Sequence, residues 1–193
     1  MKMDKQLRKE YIKKIQEKAK KSGYKAPLHM FYKVQDDNLL YAYFAIIPAG
    51  DLVYRLETKK MSFDNIFWTI MDMEDNIRRG NTLRVNGAFT ASGILISGDN
   101  INLTDDMEGI ADAFVDNATS EFANFMENND IIDYIFYHDQ IYDWEILKCL
   151  AYIDTDEIAK AVDLARKQIE KGDRGRFVNA NKGFFERVIL KYA

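Results

Sequence analysis

Proline occurs twice in the 193 residues and cysteine once. With Cys149 as the single thiol, no disulfide can close within the chain, and a zinc site built on paired thiolates is excluded. Two prolines and ten glycines leave no linker marked by composition. No run approaches the ~20 apolar residues that a membrane-spanning helix needs, so no membrane partner is expected. The opening MKMDKQLRKEYIKK is too charged for the apolar stretch of a secretory leader, and the cytoplasm is the expected compartment. Histidine is scarce as well. Neither His29 nor His138 has a partner three or four residues away that would make a metal pair on a helix. No phosphate-binding or dinucleotide fingerprint is present, and no cofactor or metal is expected.

The most informative absence concerns one sign of charge. Residues 85–147 contain no lysine or arginine, yet hold 13 aspartates and glutamates. Residues 1–23, in contrast, hold 9 basic and 3 acidic side chains. Like charges gathered on one face repel one another, so an acidic block of this length calls for an explanation. Two are open. The basic N-terminal segment can neutralise the block from within, or the block can face a basic protein partner and steer it by long-range attraction. The second expectation carries a corollary: nucleic acid is repelled. Nothing in the sequence indicates an oligomeric state.

What is present is ample material for a core. Hydrophobic residues make up 47% of the chain, with 12 Phe, 11 Tyr and 2 Trp. Residues 4–22 place Leu7, Tyr11, Ile12, Ile15 and Ala19 on one helical stripe. Strands are expected over 28–34, 39–47 and 52–59, joined by short turns, then over 83–90 and 94–97. Gly87 within the fourth of these marks a bulge or a close backbone approach. A short helix is expected near 62–73. Beyond residue 100 the pattern turns helical, over 104–127, 141–153, 154–172 and 177–191, while 131–137 fits either a strand or a helix. The fold class is therefore α+β: an N-terminal helix, an antiparallel sheet of about five strands, and a helical C-terminal half. Residues 1–193 are expected to form a single domain, with 1–100 as helix plus sheet and 101–193 as the helical half packed on it. In layout alone this resembles small bacterial immunity-type proteins.

Within the acidic block, Asp112 and Asp116 fall on the polar side of the helix over 104–127. Asp133, Tyr137, Asp139, Tyr142 and Trp144 then follow in close succession. Carboxylates would meet lysine and arginine of a partner, and tyrosine or tryptophan would supply anchors that lose water on contact. These seven residues form the expected contact site of a non-enzymatic protein that binds, and by binding inhibits, a basic partner. An immunity or inhibitor role fits that description.

Asp51, with Glu57-Thr58-Lys59 on the same expected strand, supports a different reading. An acid followed by acid-any-lysine is similar to the arrangement in restriction-type nucleases, where two carboxylates hold Mg²⁺ and the lysine orients the attacking water. The implied activity is metal-dependent hydrolysis by Asp51, Glu57 and Lys59. Against it, Asp51 lies close to Glu57 in sequence with no loop between them, and charges facing solvent on a hairpin explain the same residues. A third reading is a structural or self-associating protein, whose sign would be an exposed apolar patch. Cys149, set among Leu147, Leu150 and Ala151, reads as a small buried hydrophobe. Gly172–Arg176 is basic and glycine-rich and could touch a phosphate, but it lacks the P-loop pattern.

Overall fold

The computed structural model describes residues 4–139 and 142–193. Its elements begin with α1 (Lys5–Lys21), β1 (Met30–Gln35), β2 (Asn38–Ile46), β3 (Asp51–Lys60), α2 (Met61–Ile70) and α3 (Asn81–Asn86). They continue with β4 (Ile94–Asn102), α4 (Met107–Asn128), α5 (Ile131–Tyr137), α6 (Trp144–Asp154) and α7 (Ile158–Glu170). The chain closes with β5 (Val178–Asn179), β6 (Lys182–Gly183) and α8 (Phe184–Tyr192). The fold is α+β: a four-stranded antiparallel sheet, a separate two-stranded hairpin, an N-terminal helix and a helical C-terminal half. Contacts divide the chain into two compact units. One is Met1–Thr58 with Gly93–Asn129, and the other is Lys59–Ser92 with Asp130–Ala193.

In the sheet unit, α1 starts where the Asp4 carboxylate accepts from the Leu7 amide at 2.8 Å, and Lys18, Lys20 and Lys21 in its last turn suit the negative end of the helix dipole. Gly23, at φ +85°, takes the left-handed conformation that ends the helix. The sheet runs β1-β2-β3-β4, with β1–β2 and β3–β4 both antiparallel. Its register slips by one residue between Leu56 and Glu57, where Ile96 of β4 has no partner on β3. One face carries Phe31, Leu40, Ala42, Phe44, Leu52 and Leu56, packed in one core with Tyr11 and Ile15 of α1 and Ala111, Phe114, Ala118 and Phe122 of α4. Phe114 sits at the centre, fully buried, with ring centroids of Phe31, Phe44 and Tyr54 at 5.5, 5.8 and 4.8 Å. Each such ring removed from water contributes about 1.5–3 kcal/mol. The long helix α4 thus belongs with the sheet and not with the later helices.

The helical unit is built on α2, whose Phe63, Phe67, Trp68 and Ile70 are all buried. It packs against α6 and α8, while α7 packs against both of those and α5 against α6. Phe67 meets Phe177 edge-on at 4.7 Å and stacks near Phe184 at 5.9 Å.

Three sequence expectations are corrected, and one left open is resolved. Residues 83–90 form no strand: 81–86 are the short helix α3. The alternation of Leu83 and Val85 around Arg84 misleads because Arg84 is itself buried. The close approach expected at Gly87 is present, since an added Cβ would lie 2.6 Å from the Leu83 carbonyl oxygen. The last sheet strand, expected over 94–97, runs on through Gly98-Asp99-Asn100 to Asn102, and without a strand over 83–90 the main sheet has four strands. Residues 177–183 are not helical; β5 and β6 precede α8 there. Finally, 131–137 is helical, with Asp130 capping the Ile132 and Asp133 amides. Of the helix expected over 141–153, Ile141 lies outside the described residues.

Candidate functional site

The strand β3 separates the three residues of the hydrolase reading. Asp51 and Glu57 are six residues apart on it, a rise of about 20 Å, so their carboxylates cannot share an ion. Asp51 accepts from the Asn102 side-chain amide at 3.1 Å, and Glu57 pairs with Arg55 at 2.9 Å. Lys59 is buried, and its ammonium donates to Asp64 Oδ1 at 3.0 Å, the Arg84 carbonyl at 2.7 Å and the Ala91 carbonyl at 2.8 Å. All three of its protons are taken, which leaves none to orient a water. Among the described residues no group of three or more His, Cys, Asp or Glu is placed to hold a metal ion.

Lys59 instead anchors a buried charge cluster in the helical unit. Asp64 Oδ1 also accepts from the Ala91 amide at 2.9 Å, and Arg84 Nη1 stands 3.7 Å from Asp64 Oδ2. Burial pushes the Asp64 carboxyl up, against the pull of Lys59, the Ala91 amide and Arg84. The Arg84 guanidinium donates to the Met61 carbonyl and Asn65 Oδ1 and lies 4.8 Å from the Trp68 ring. These bonds tie α2, α3 and the chain through Ala91 together. The cluster is closed to solvent and serves the fold.

The acidic block divides between the units. In the sheet unit, α1 packs along α4, and Lys18 reaches both Asp112 and Asp116 at 3.1 Å, while Lys14 reaches Glu108 at 3.4 Å. Donating to the Asp116 and Asp112 carboxylates raises the Lys18 pKa. The basic first helix therefore neutralises part of α4 from within, and Asp112 and Asp116 are half-engaged by their own chain.

The other expected contact residues lie in the helical unit. Asp133, Tyr137 and Asp139 are exposed at α5 and just beyond it. Tyr137 is 81% exposed and Tyr142 69%, the two highest values among the large hydrophobic residues described. His138 stacks on Tyr134 with centroids 3.9 Å apart, which stiffens the end of α5. Tyr142 has the Arg176 guanidinium 5.2 Å from its ring. Trp144 behaves differently: it is half-buried, its indole N–H donates to the Ile135 carbonyl at 2.9 Å, and Lys148 lies 4.4 Å from its ring. It holds α5 to α6 and is not a free anchor. Asp143 is also spoken for, accepting from Arg176 Nε at 2.7 Å and from the Ser92 hydroxyl.

The remaining candidates are structural. Cys149 is buried and desolvation pushes its thiol up to about 12, the opposite of an activated nucleophile. In the Gly172–Arg176 turn, Arg174 pairs with Glu186 and Arg176 with Asp143. Sequence reasoning passed over one feature altogether, a concave basic surface formed by Asp72, Lys182, Arg187 and Lys191. These residues are spread over more than a hundred positions, and only their charge could have drawn attention to them. No helix among the described residues is long and apolar enough to cross a membrane. Comparison with protein-family models, with curated proteins and with solved structures gives no match.

Proposed function

We propose that this chain is a non-enzymatic interaction protein that binds a basic protein partner, and inhibits it by covering it, through α5, Asp139 and Tyr142. The observation that carries the reading is the pairing of two largely exposed tyrosines, Tyr137 and Tyr142, with the exposed carboxylates Asp133 and Asp139. Tyrosine rings that stand in water lose it on contact and anchor an interface, while the surrounding carboxylates select lysine and arginine. The same negative charge disfavours nucleic acid as the ligand. Within the contact set, Asp133, Tyr137, Asp139 and Tyr142 carry the binding. Asp112 and Asp116 lie in the sheet unit, engaged by Lys18, and Trp144 acts by holding α5 in place.

The test is capture from the lysate of the native host on immobilised protein, with Asp133→Lys/Asp139→Lys and Tyr137→Ala variants alongside. The captured protein is then purified and its affinity measured by calorimetry at two salt concentrations. The expected partner is basic and binds wild type more weakly as salt rises. It loses tenfold or more in affinity to the Tyr137→Ala variant, the effect of removing an anchor worth about 1.4 kcal/mol or more. A captured protein that binds wild type and both variants equally would sink the proposal.

A further inference from the structure

The helical unit holds a pocket of about 550 Å³ lined by Ile70, Asp72, Ala180, Lys182, Arg187, Leu190 and Lys191. Its position follows from local sequence. Arg187, Leu190 and Lys191 stand at i, i+3 and i+4 on α8 and so share one face. Ile70 ends α2 and Asp72 lies two residues beyond it, and Ala180 and Lys182 come from the β5–β6 hairpin. Three cations and one carboxylate thus line a volume in the range of small-molecule sites, with a net charge of +2.

Much of the donor capacity is unused. The Arg187 guanidinium gives its Nε and one Nη2 proton to the Asn179 carbonyl, at 3.2 and 2.7 Å, and an Nη1 proton to Asp72. Two of its five N–H donors are left. Lys191 donates to the Thr69 carbonyl at 2.6 Å and to Glu74 at 3.3 Å, which leaves it one. Among the described residues Lys182 forms no ion pair, so all three of its protons are available. All three cations line the one pocket, and Arg187 first, then Lys191 and Lys182, hold the Asp72 carboxyl below its ordinary value.

The backbone here is held away from its preferred conformations. Asp72 at φ 54°, Ala180 at φ 46° and Asn181 at φ 61° are left-handed, three of the seven such non-glycine residues described. Ala180 and Asn181 form the two-residue turn of the β5–β6 hairpin, which takes positive φ at both positions and sets Lys182 directly after it.

We propose that this pocket binds the phosphate group of a small phosphomonoester, with the organic remainder against Leu190. A phosphomonoester dianion meets a lining that stays cationic with Asp72 in place and Glu74 paired to Lys191, and its three terminal oxygens accept from the unused protons of Lys182, Arg187 and Lys191. Leu190, 62% exposed, offers the remainder an apolar wall. This site is independent of the α5 surface.

The test is calorimetric titration of the full chain with phenyl phosphate and, separately, inorganic phosphate at pH 7.5. Two variants are compared, Lys182→Glu and, as a control of equal charge change, Lys167→Glu on the exposed side of α7. Both changes fall on exposed side chains, and circular dichroism checks that the folds are intact. Phenyl phosphate is expected to bind wild type and the control alike, at least tenfold more weakly to Lys182→Glu, and more tightly than inorganic phosphate. It should also weaken at pH 5, where the second phosphate ionisation is suppressed. Any of three results overturns the proposal: no heat or saturation up to millimolar phenyl phosphate, equal weakening by both variants, or inorganic phosphate binding as tightly as the phenyl ester.

Discussion

Lys59 shows how far a single side chain can depart from its sequence appearance. On β3 it follows Glu57 at a spacing that suggests a shared solvent-facing site, yet its ammonium is sealed against Asp64 and two carbonyls. Replacing it by methionine, which fills similar volume without charge, leaves Asp64 buried with Arg84 at 3.7 Å as its remaining ionic partner. The Lys59→Met variant is expected to lose about 3–5 kcal/mol, the cost of breaking a buried pair from one side. Urea denaturation measures this directly, and a loss under 1 kcal/mol would show that the cluster does not matter to stability. Asp72 titrates in the other direction. Arg187, then Lys191 and Lys182, lower its pKa in the folded chain. A depressed carboxyl contributes stability above its unfolded pKa of about 3.9, and that contribution disappears as pH falls through the lower folded value. Wild type should therefore melt above Asp72→Asn at pH 7, with the gap closing toward pH 2–3. A gap that is constant across this range would mean the Asp72–Arg187 pair has no linkage to folding.

Elements with a simple period were legible; those whose charges turn inward were not. The stripe of α1, the alternation of β1 to β3 and the face of α4 follow from apolar spacing alone. The α3 segment was missed because a buried arginine filled a place that periodicity assigns to the polar side. The β5–β6 hairpin was missed because its two-residue turn is Ala180-Asn181, both at positive φ, where glycine would have announced the turn. Glycine does mark the entry to this region. Gly175 sits at φ +78°, and a Cβ there would lie 2.9 Å from the Phe184 Cβ. Both the φ angle and the contact oppose any side chain, so Gly175→Ala should lower stability by about 1–2 kcal/mol. Thermal melts would reveal this as a fall of a few degrees, and an unchanged melting temperature would show that the hairpin and α8 shift freely to accept the methyl group.

For the molecule as a whole, the distribution of charge was the most useful property of the sequence, and it was only half readable. The lysines of α1 lie nearly a hundred residues from Asp112 and Asp116, and no local rule says that they meet. The tyrosines near residue 140 could be read as contact residues from their composition, but exposure separates Tyr137 and Tyr142 from the half-buried Trp144, and exposure is a property of the folded chain. The basic pocket could not be read at all, because its side chains come from α2, the hairpin and α8 and carry no spacing in common.

The division of the chain into interleaved stretches also imposes an order on its synthesis. Every residue of the sheet unit has left the ribosome once Asn129 has emerged, while the helical unit still lacks Asp130–Ala193. The loop of chain from Lys59 to Ser92 must then wait, already carrying the buried aromatics of α2, for the helices that will cover them. Its own ion cluster, Lys59 with Asp64, Arg84 and Ala91, needs no residue from beyond that loop. It can hold the waiting segment folded back on itself while the nascent chain is most exposed to aggregation and proteolysis.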